Sequence, residues 1–236
     1  MSPSNNANLD LLVRAARALG PLRDRVAFLG GATTVLLLTD PAAPAVRSTL
    51  DVDVIADVSG RTQYYQLEEE LRSLGFRQEP RAGEPICRWH LDDLVLDVIP
   101  TAPEILGFSN RWYAEALRSA TRRTVGAGLE IRLVTAPHFL ATKLEALQGR
   151  GAGDFLASHD LEDIVTLVDG REELAAELCG ASAALRAYVR ETLGALLGNS
   201  RFVEALPGHL PPDEASQRRG PLVLARLRAM AQGQAE

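Results

Sequence analysis

The hydrophobic period changes once along the chain, near residue 135, and this constrains the fold more than any other feature. Before that point short alternating runs alternate with helical ones. After it every apolar pattern from Pro137 to Ala231 has helical spacing: 137–148, about 160–168, 171–179, 182–197 and 213–231. The chain is therefore expected to be α/β in its first part (α+β class), a mixed-sheet lobe over 1–135, followed by an all-helical lobe over 136–236. At 236 residues, 46% of them hydrophobic and 24% charged, it can bury a core without staples.

In the first part, Leu9, Leu12, Val13, Ala16 and Leu19 follow helical spacing up to Gly20-Pro21. A short strand over 25–29 runs into Gly30-Gly31, and a helix is expected over 32–39. Residues 50–56 read as a strand, 61–74 as a helix, and 76–79 as a short strand. The runs 86–91 and 94–100, separated by Asp92-Asp93, read as a hairpin with a two-residue loop. A helix is expected over 111–119, and 122–125 with 129–134 form a second hairpin around Gly126-Ala127-Gly128.

Several function classes have no support. Cys87 and Cys179 form no CxxC pair, and His90, His138, His159 and His209 have no metal-ligand spacing. There is no GxSxG elbow, P-loop or GxGxxG. The longest uncharged run, Val26 to Thr39, is too short for a bilayer, and the first ten residues lack a signal-peptide pattern, so no membrane association and a cytoplasmic location are expected. The net charge of −6 opposes a general grip on nucleic acid but leaves room for a local basic groove.

The chemistry concentrates in acids on strands. Asp51 and Asp53 alternate with Val52 and Val54, so the two carboxylates share a face about 7 Å apart. Two adjacent acids repel unless a cation neutralises them, and Mg²⁺ (or Mn²⁺) prefers carboxylate and phosphate oxygens. A solvent-facing edge strand protected by its acids is the plain alternative. Asp97 lies in Leu94-Val95-Leu96-Asp97-Val98-Ile99, a strand apolar on both faces, where a carboxylate is costly unless paired or metal-bound. Arg88 across the hairpin is its candidate ion-pair partner. Three such acids could bridge two ions about 3.5–4 Å apart. Gly30-Gly31 before a helix start would let the backbone approach a phosphate. Lys143 interrupts the stripe Phe139, Leu140, Leu144 and Leu147, so it either snorkels or faces a cleft. Asp160 and Asp163 follow Ser158 and could simply compensate a helix dipole.

A strand ending in Gly30-Gly31, a short helix, and then Arg47-Ser48-Thr49-Leu50-Asp51-Val52-Asp53 resembles the polymerase-β-type nucleotidyltransferase superfamily, and more narrowly the AbiEii/AbiGii-type toxin nucleotidyltransferases. Asp97 stands where a third acid follows in that family. Lys143-Leu144-Glu145-Ala146 with Arg150 resembles its Lys-x-x-Ala-x-x-x-Arg helix, and His159-Asp160-Leu161-Glu162-Asp163-Ile164 its Arg-Asp-Leu-x-Asp-Leu segment. The resemblance spans about residues 26 to 168. It departs at Gly31, often Ser in the family, at His159, and in the glycine-rich insert 149–153.

The resemblance implies transfer of a nucleoside monophosphate from an NTP to an acceptor, with release of pyrophosphate. Asp51, Asp53 and Asp97 would hold Mg²⁺ or Mn²⁺. Gly30, Gly31, Arg47, Ser48 and Thr49 would cradle phosphates. Lys143, oriented by Asp160, would stabilise developing charge from a cleft between the lobes. It also implies a toxin with an RNA acceptor such as tRNA and a cognate antitoxin. Arg111, Arg118, Arg122, Arg123 and Arg132, with Trp112 and Tyr113 to stack on bases, could line an RNA path. Transfer to a small molecule or a protein, or a non-catalytic nucleotide-binding module, are the competing readings.

Overall fold

The computed structural model describes residues 3–79, 85–107, 110–126, 128–150 and 153–234. Ala127 of the second hairpin, Gly151 and Ala152 of the insert, and the side chain of Arg150 lie outside the described residues. The chain separates into two units, residues 1–36 with 45–135 and residues 37–44 with 136–236.

In the first unit six strands among the described residues form one mixed sheet: β1 (Val26–Leu29), β2 (Asp51–Ala56), β3 (Arg88–Leu91), β4 (Leu94–Pro100), β5 (Thr121–Gly126) and β6 (Leu129–Leu133). Their order is β3-β4-β2-β1-β6-β5. β2 runs parallel to β4 and antiparallel to β1, which in turn lies parallel to β6. Both expected hairpins form. The first turns through Asp92 at φ 52°, a left-handed conformation that aspartate tolerates better than most residues.

Helices α1 (Pro3–Ala18), α2 (Thr34–Leu37), α3 (Arg61–Ser73), α4 (Pro103–Leu106) and α5 (Tyr113–Ser119) complete the described helices that begin in this unit. The alternation of β2 and β4 sends Val52, Val54, Leu96 and Val98 into one cluster with Leu12 of α1, Leu19 just after it, Leu71 of α3 and Trp89 of β3. Each such fully buried aliphatic side chain contributes roughly 1.5–3 kcal/mol.

Two local expectations differ from the structure. The helix expected over 32–39 is a 3₁₀ turn, Gly31–Thr33, followed by the single turn of α2. The strand expected over 76–79 reduces to a bridge between Arg77 and His90.

The second unit contains α6 (Ala136–Arg150), α7 (His159–Gly170), α8 (Leu174–Cys179), α9 (Ala183–Leu197), α10 (Ser200–Ala205), α11 (Glu214–Gln217) and α12 (Gly220–Gln232). Ser158 and Ser182 cap α7 and α9 by accepting from Leu161 and Leu185 N–H. The helix expected over 213–231 is broken at Arg218-Arg219. Pro221 lacks an amide donor and starts α12 afresh.

The second unit also takes in residues 37–44, so its sequence is not contiguous. Thr39 and Asp40 N–H both donate to the Gly170 carbonyl, at 2.9 and 3.0 Å. The Arg171 guanidinium donates to the Leu37 carbonyl, and Arg219 Nη2 lies 2.6 Å from Asp40 Oδ2. A Cβ on Gly170 would come 2.8 Å from Leu38 Cδ2 and 3.1 Å from Ala43 Cβ, so residues 37–44 pack closely over this glycine. Among the described residues no helix is long and apolar enough to cross a membrane.

Candidate active site

The acids are organised by sheet register. Asp53 on β2 is paired with Asp97 on β4, and Asp97 with Arg88 on β3. Directly paired positions present their side chains to the same face, so these three form a row across the strands. The neighbouring row is Asp51, Val95 and His90.

Arg88 binds Asp97 with both arms of its fork: Nε lies 2.8 Å from Oδ1 and Nη2 lies 2.8 Å from Oδ2. The same Nη2 reaches Asp51 Oδ2 at 2.7 Å. The Asp97 side chain is only 10% exposed and that of Arg88 22%, so this charge-assisted contact operates away from bulk water. The pairing of Arg88 with Asp97 was legible as the alternative to a metal. The reach to Asp51 was not, because it depends on β4 lying between β3 and β2.

The Gly-Gly turn closes the other end of the row. Gly30 adopts φ 79° and ψ −178°, a region open essentially only to glycine. A Cβ there would fall 1.9 Å from Asp53 Oδ2, so the missing side chain makes room for the carboxylate. A Cβ on Gly31 would fall 2.7 Å from Arg47 Nη2 and 2.8 Å from Thr49 Cγ2. The turn is held by Thr33, whose N–H and hydroxyl both donate to the Gly30 carbonyl.

Gly30 and Asp53, then Gly31, Arg47 and Thr49, and then Asp51, Asp97 and Arg88 are thus three contacting groups in the first unit. Ser48 is exposed between its neighbours.

Sequence reasoning missed Asn8. This fully buried residue of α1 donates to the Arg47 carbonyl at 2.9 Å and accepts from Thr49 N–H at 3.2 Å, clamping the segment over Gly31. Asn8 lies on the helical stripe of Leu12, Ala15 and Leu19, and a polar residue on an apolar stripe was the available signal.

The carboxylate set is chemically suited to Mg²⁺ or Mn²⁺, being all hard oxygen. Three of the oxygens of Asp51 and Asp97 are engaged by Arg88, and among the described residues no group of three or more His, Cys, Asp or Glu is arranged to hold a metal ion. Beside the acids, burial pushes the Cys87 thiol up to about 12, reinforced by the negative charge of Asp97. A cavity of about 480 Å³ in the same unit lies elsewhere, against Val26, Ala56, Thr101 and Leu117, and is not lined by Asp51, Asp53 or Asp97.

In the second unit Lys143 Nζ lies 3.1 Å from Asp160 Oδ1 and 2.6 Å from Asp163 Oδ2. Both acids therefore meet the ammonium, and Asp163, with a 1% exposed side chain, is the closer. Lys143 Nζ also stands 5.8 Å from the centroid of the Phe139 ring.

The basic set expected to line an RNA path changes character. Trp112 is buried at 6% exposure, so its ring offers no stacking face to a base. Arg122 pairs with Asp24 and Glu130, and Arg132 donates to the Leu117 carbonyl at 2.7 Å. Arg111, Arg118 and Arg123 remain exposed.

No protein-family model matches the chain, and no curated protein matches it in sequence. Among solved structures it is similar to an antigenic nucleotidyltransferase-like protein from Paracoccidioides brasiliensis, with 22% identity over 87% of this chain and 94% of that one and a TM-score of 0.49. It is also similar to the antibiotic-resistance factor ANT(2'')-Ia, with 18% identity over 81% and 96% of the two chains and a TM-score of 0.46. A candidate nucleotidyltransferase from H. pylori is similar too, with 12% identity over 98% and 95% and a TM-score of 0.48.

Proposed function

We propose that the protein is a divalent-metal-dependent nucleotidyltransferase that moves a nucleoside monophosphate from an NTP to an acceptor hydroxyl. The observation that carries this reading is the packing of the Gly30-Gly31 turn. Gly30 admits the Asp53 carboxylate, and Gly31 lies under Arg47 and Thr49, so a cation-binding acid and an anion-binding guanidinium flank one tightly packed glycine turn.

Arg47 and the hydroxyls of Ser48 and Thr49 would bind the phosphates. Asp51, Asp53 and Asp97 would hold Mg²⁺ or Mn²⁺, which supplies positive charge to the transferring phosphoryl group. Transfer of this kind needs positioning and electrostatics more than covalent chemistry from the protein. Lys143 is proposed to stabilise developing charge, with Asp160 and Asp163 fixing its ammonium.

An RNA acceptor, a toxin role and a cognate antitoxin rest on the resemblance to AbiEii-type proteins. The burial of Trp112 favours the second reading, a small-molecule or protein acceptor, because it removes an expected base-stacking group. The hold of Arg88 on two of the acids favours the third, a non-catalytic module.

The test is incubation with each labelled NTP and Mg²⁺, against total RNA, total protein and a small-molecule extract separately. Label in one acceptor pool identifies the class. No transfer, together with no metal-dependent NTP binding by calorimetry, refutes the enzymatic reading.

A further inference from the structure

We propose that Arg88 is a built-in counter-ion that holds the acid cluster shut, and that a divalent cation enters only as the guanidinium releases Asp97 and Asp51. The inference rests on the reading of Asp51, Asp53 and Asp97 as metal ligands and adds the control of their occupancy.

The geometry is that of direct competition. Arg88 takes both oxygens of Asp97 and one of Asp51, the same hard oxygens a cation would need. The two positive species cannot share them fully, because like charges brought to one set of ligands repel. Neither can both be absent at little cost. Asp97 is a nearly buried carboxylate in the row beside Asp53, and leaving its charge uncompensated there is strongly disfavoured. Asp97 is thus neutralised by one cation or by the other.

The position of Arg88 allows the exchange. It lies on β3, the outermost named strand on that side, beyond which the outer edge carries the Arg77–His90 bridge, and its long side chain can turn toward solvent with the strand in place. Its exposure of 22% already gives it a path to water. A guanidinium on a long side chain near the sheet edge, reaching inward to acids on β4 and β2, is displaceable in a way that a central residue would not be.

The test measures Mn²⁺ affinity by calorimetry and by the free-ion paramagnetic resonance signal, in wild type and Arg88→Gln. Removing the competitor is expected to tighten Mn²⁺ binding by about tenfold or more, the low end of coupling for close charge pairs. Adding Asp97→Asn to Arg88→Gln should cancel the gain. In the wild-type protein, where no variant has to fold, the ¹⁵N-labelled Arg88 Nε–H gives an independent reading. Its proton should exchange slowly without metal and lose that protection as Mg²⁺ saturates.

Equal Mn²⁺ affinity in wild type and variant, or an Arg88 Nε–H unchanged by saturating Mg²⁺, overturns the gating and leaves the metal site standing. Absence of Mn²⁺ binding from both proteins overturns the metal reading itself, and the gating with it.

Discussion

Gly30→Ala should be costly for two separable reasons, and a double-mutant cycle with Asp53→Ala separates them. The first is backbone strain. At φ 79° and ψ −178° an alanine is held in a region that only glycine occupies freely, at about 1–3 kcal/mol. The second is collision. The new methyl would lie 1.9 Å from Asp53 Oδ2 and 2.7 Å from Cγ, so the carboxylate must move, at the roughly 1–3 kcal/mol typical of overpacking. The single variant should therefore lose about 2–6 kcal/mol.

In an Asp53→Ala background the colliding oxygen and Cγ are gone, and the nearest remaining atom is the residue-53 Cβ at 3.0 Å. Only the backbone cost should persist there. The expected coupling between the two sites is about 1–3 kcal/mol, within the range for contacting residues. Urea denaturation of the four proteins in EDTA measures it. Losses that add to within about 0.5 kcal/mol would refute the claim that Gly30 is glycine to admit Asp53. Gly31→Ala is the control: the group nearest its methyl is the flexible end of Arg47, so its loss should be smaller.

Three further outcomes follow from the second unit and from Cys87. Lys143→Met withdraws a cation from two buried acids and should cost about 3–5 kcal/mol in urea melts. Lys143→Met with Asp163→Leu should recover most of that stability and, if Lys143 serves transfer, none of the rate. Arg219→Met should cost a similar amount at pH 7, because Asp169 is 1% exposed and both its oxygens meet Arg219 Nε, at 2.7 and 2.9 Å. Burial already raises Asp169 above the ordinary aspartate range, and loss of Arg219 raises it further. Its folded form then binds the proton more tightly than the unfolded one, so the variant's stability falls as pH rises from the ordinary aspartate range toward neutrality. A loss at pH 4 as large as that at pH 7 would contradict this. Finally, a disulfide reagent at pH 8 should titrate exposed Cys179 in the native protein and reach Cys87 only in urea, since a thiol pushed up to about 12 is about one part in 10⁴ thiolate at that pH.

What was legible in the sequence follows the range of the interactions. β2, β4 and both hairpins were readable because period-two alternation and turn residues are local signals. The order β3-β4-β2-β1-β6-β5 was not, since the pairing of β1 with β6 joins residues about a hundred positions apart. Short elements were also lost. α10 buries only Phe202 and Ala205 and relies on the Asn199 cap, too few residues to show a period. The strap over 37–44 carries no period at all. It is held by the Gly170 carbonyl and by Arg219.

The acids could be singled out because a carboxylate on an apolar strand demands a neutralising partner, and that demand is visible without a structure. Which partner answers it is a matter of register. Leu29 pairs with Asp53, Asp53 with Asp97, and Asp97 with Arg88, so one row crosses four strands. At the β1 end the row meets Gly30, where the absence of a side chain leaves room for an anion. At the β3 end it meets a guanidinium. A slip of one residue between β3 and β4 would send Arg88 to the other face and leave Asp97 nearly buried without its fork. The same charges that suit the row to chemistry therefore also specify its register, and a variant that neutralises Asp97 should loosen the β3–β4 pairing as well as the site.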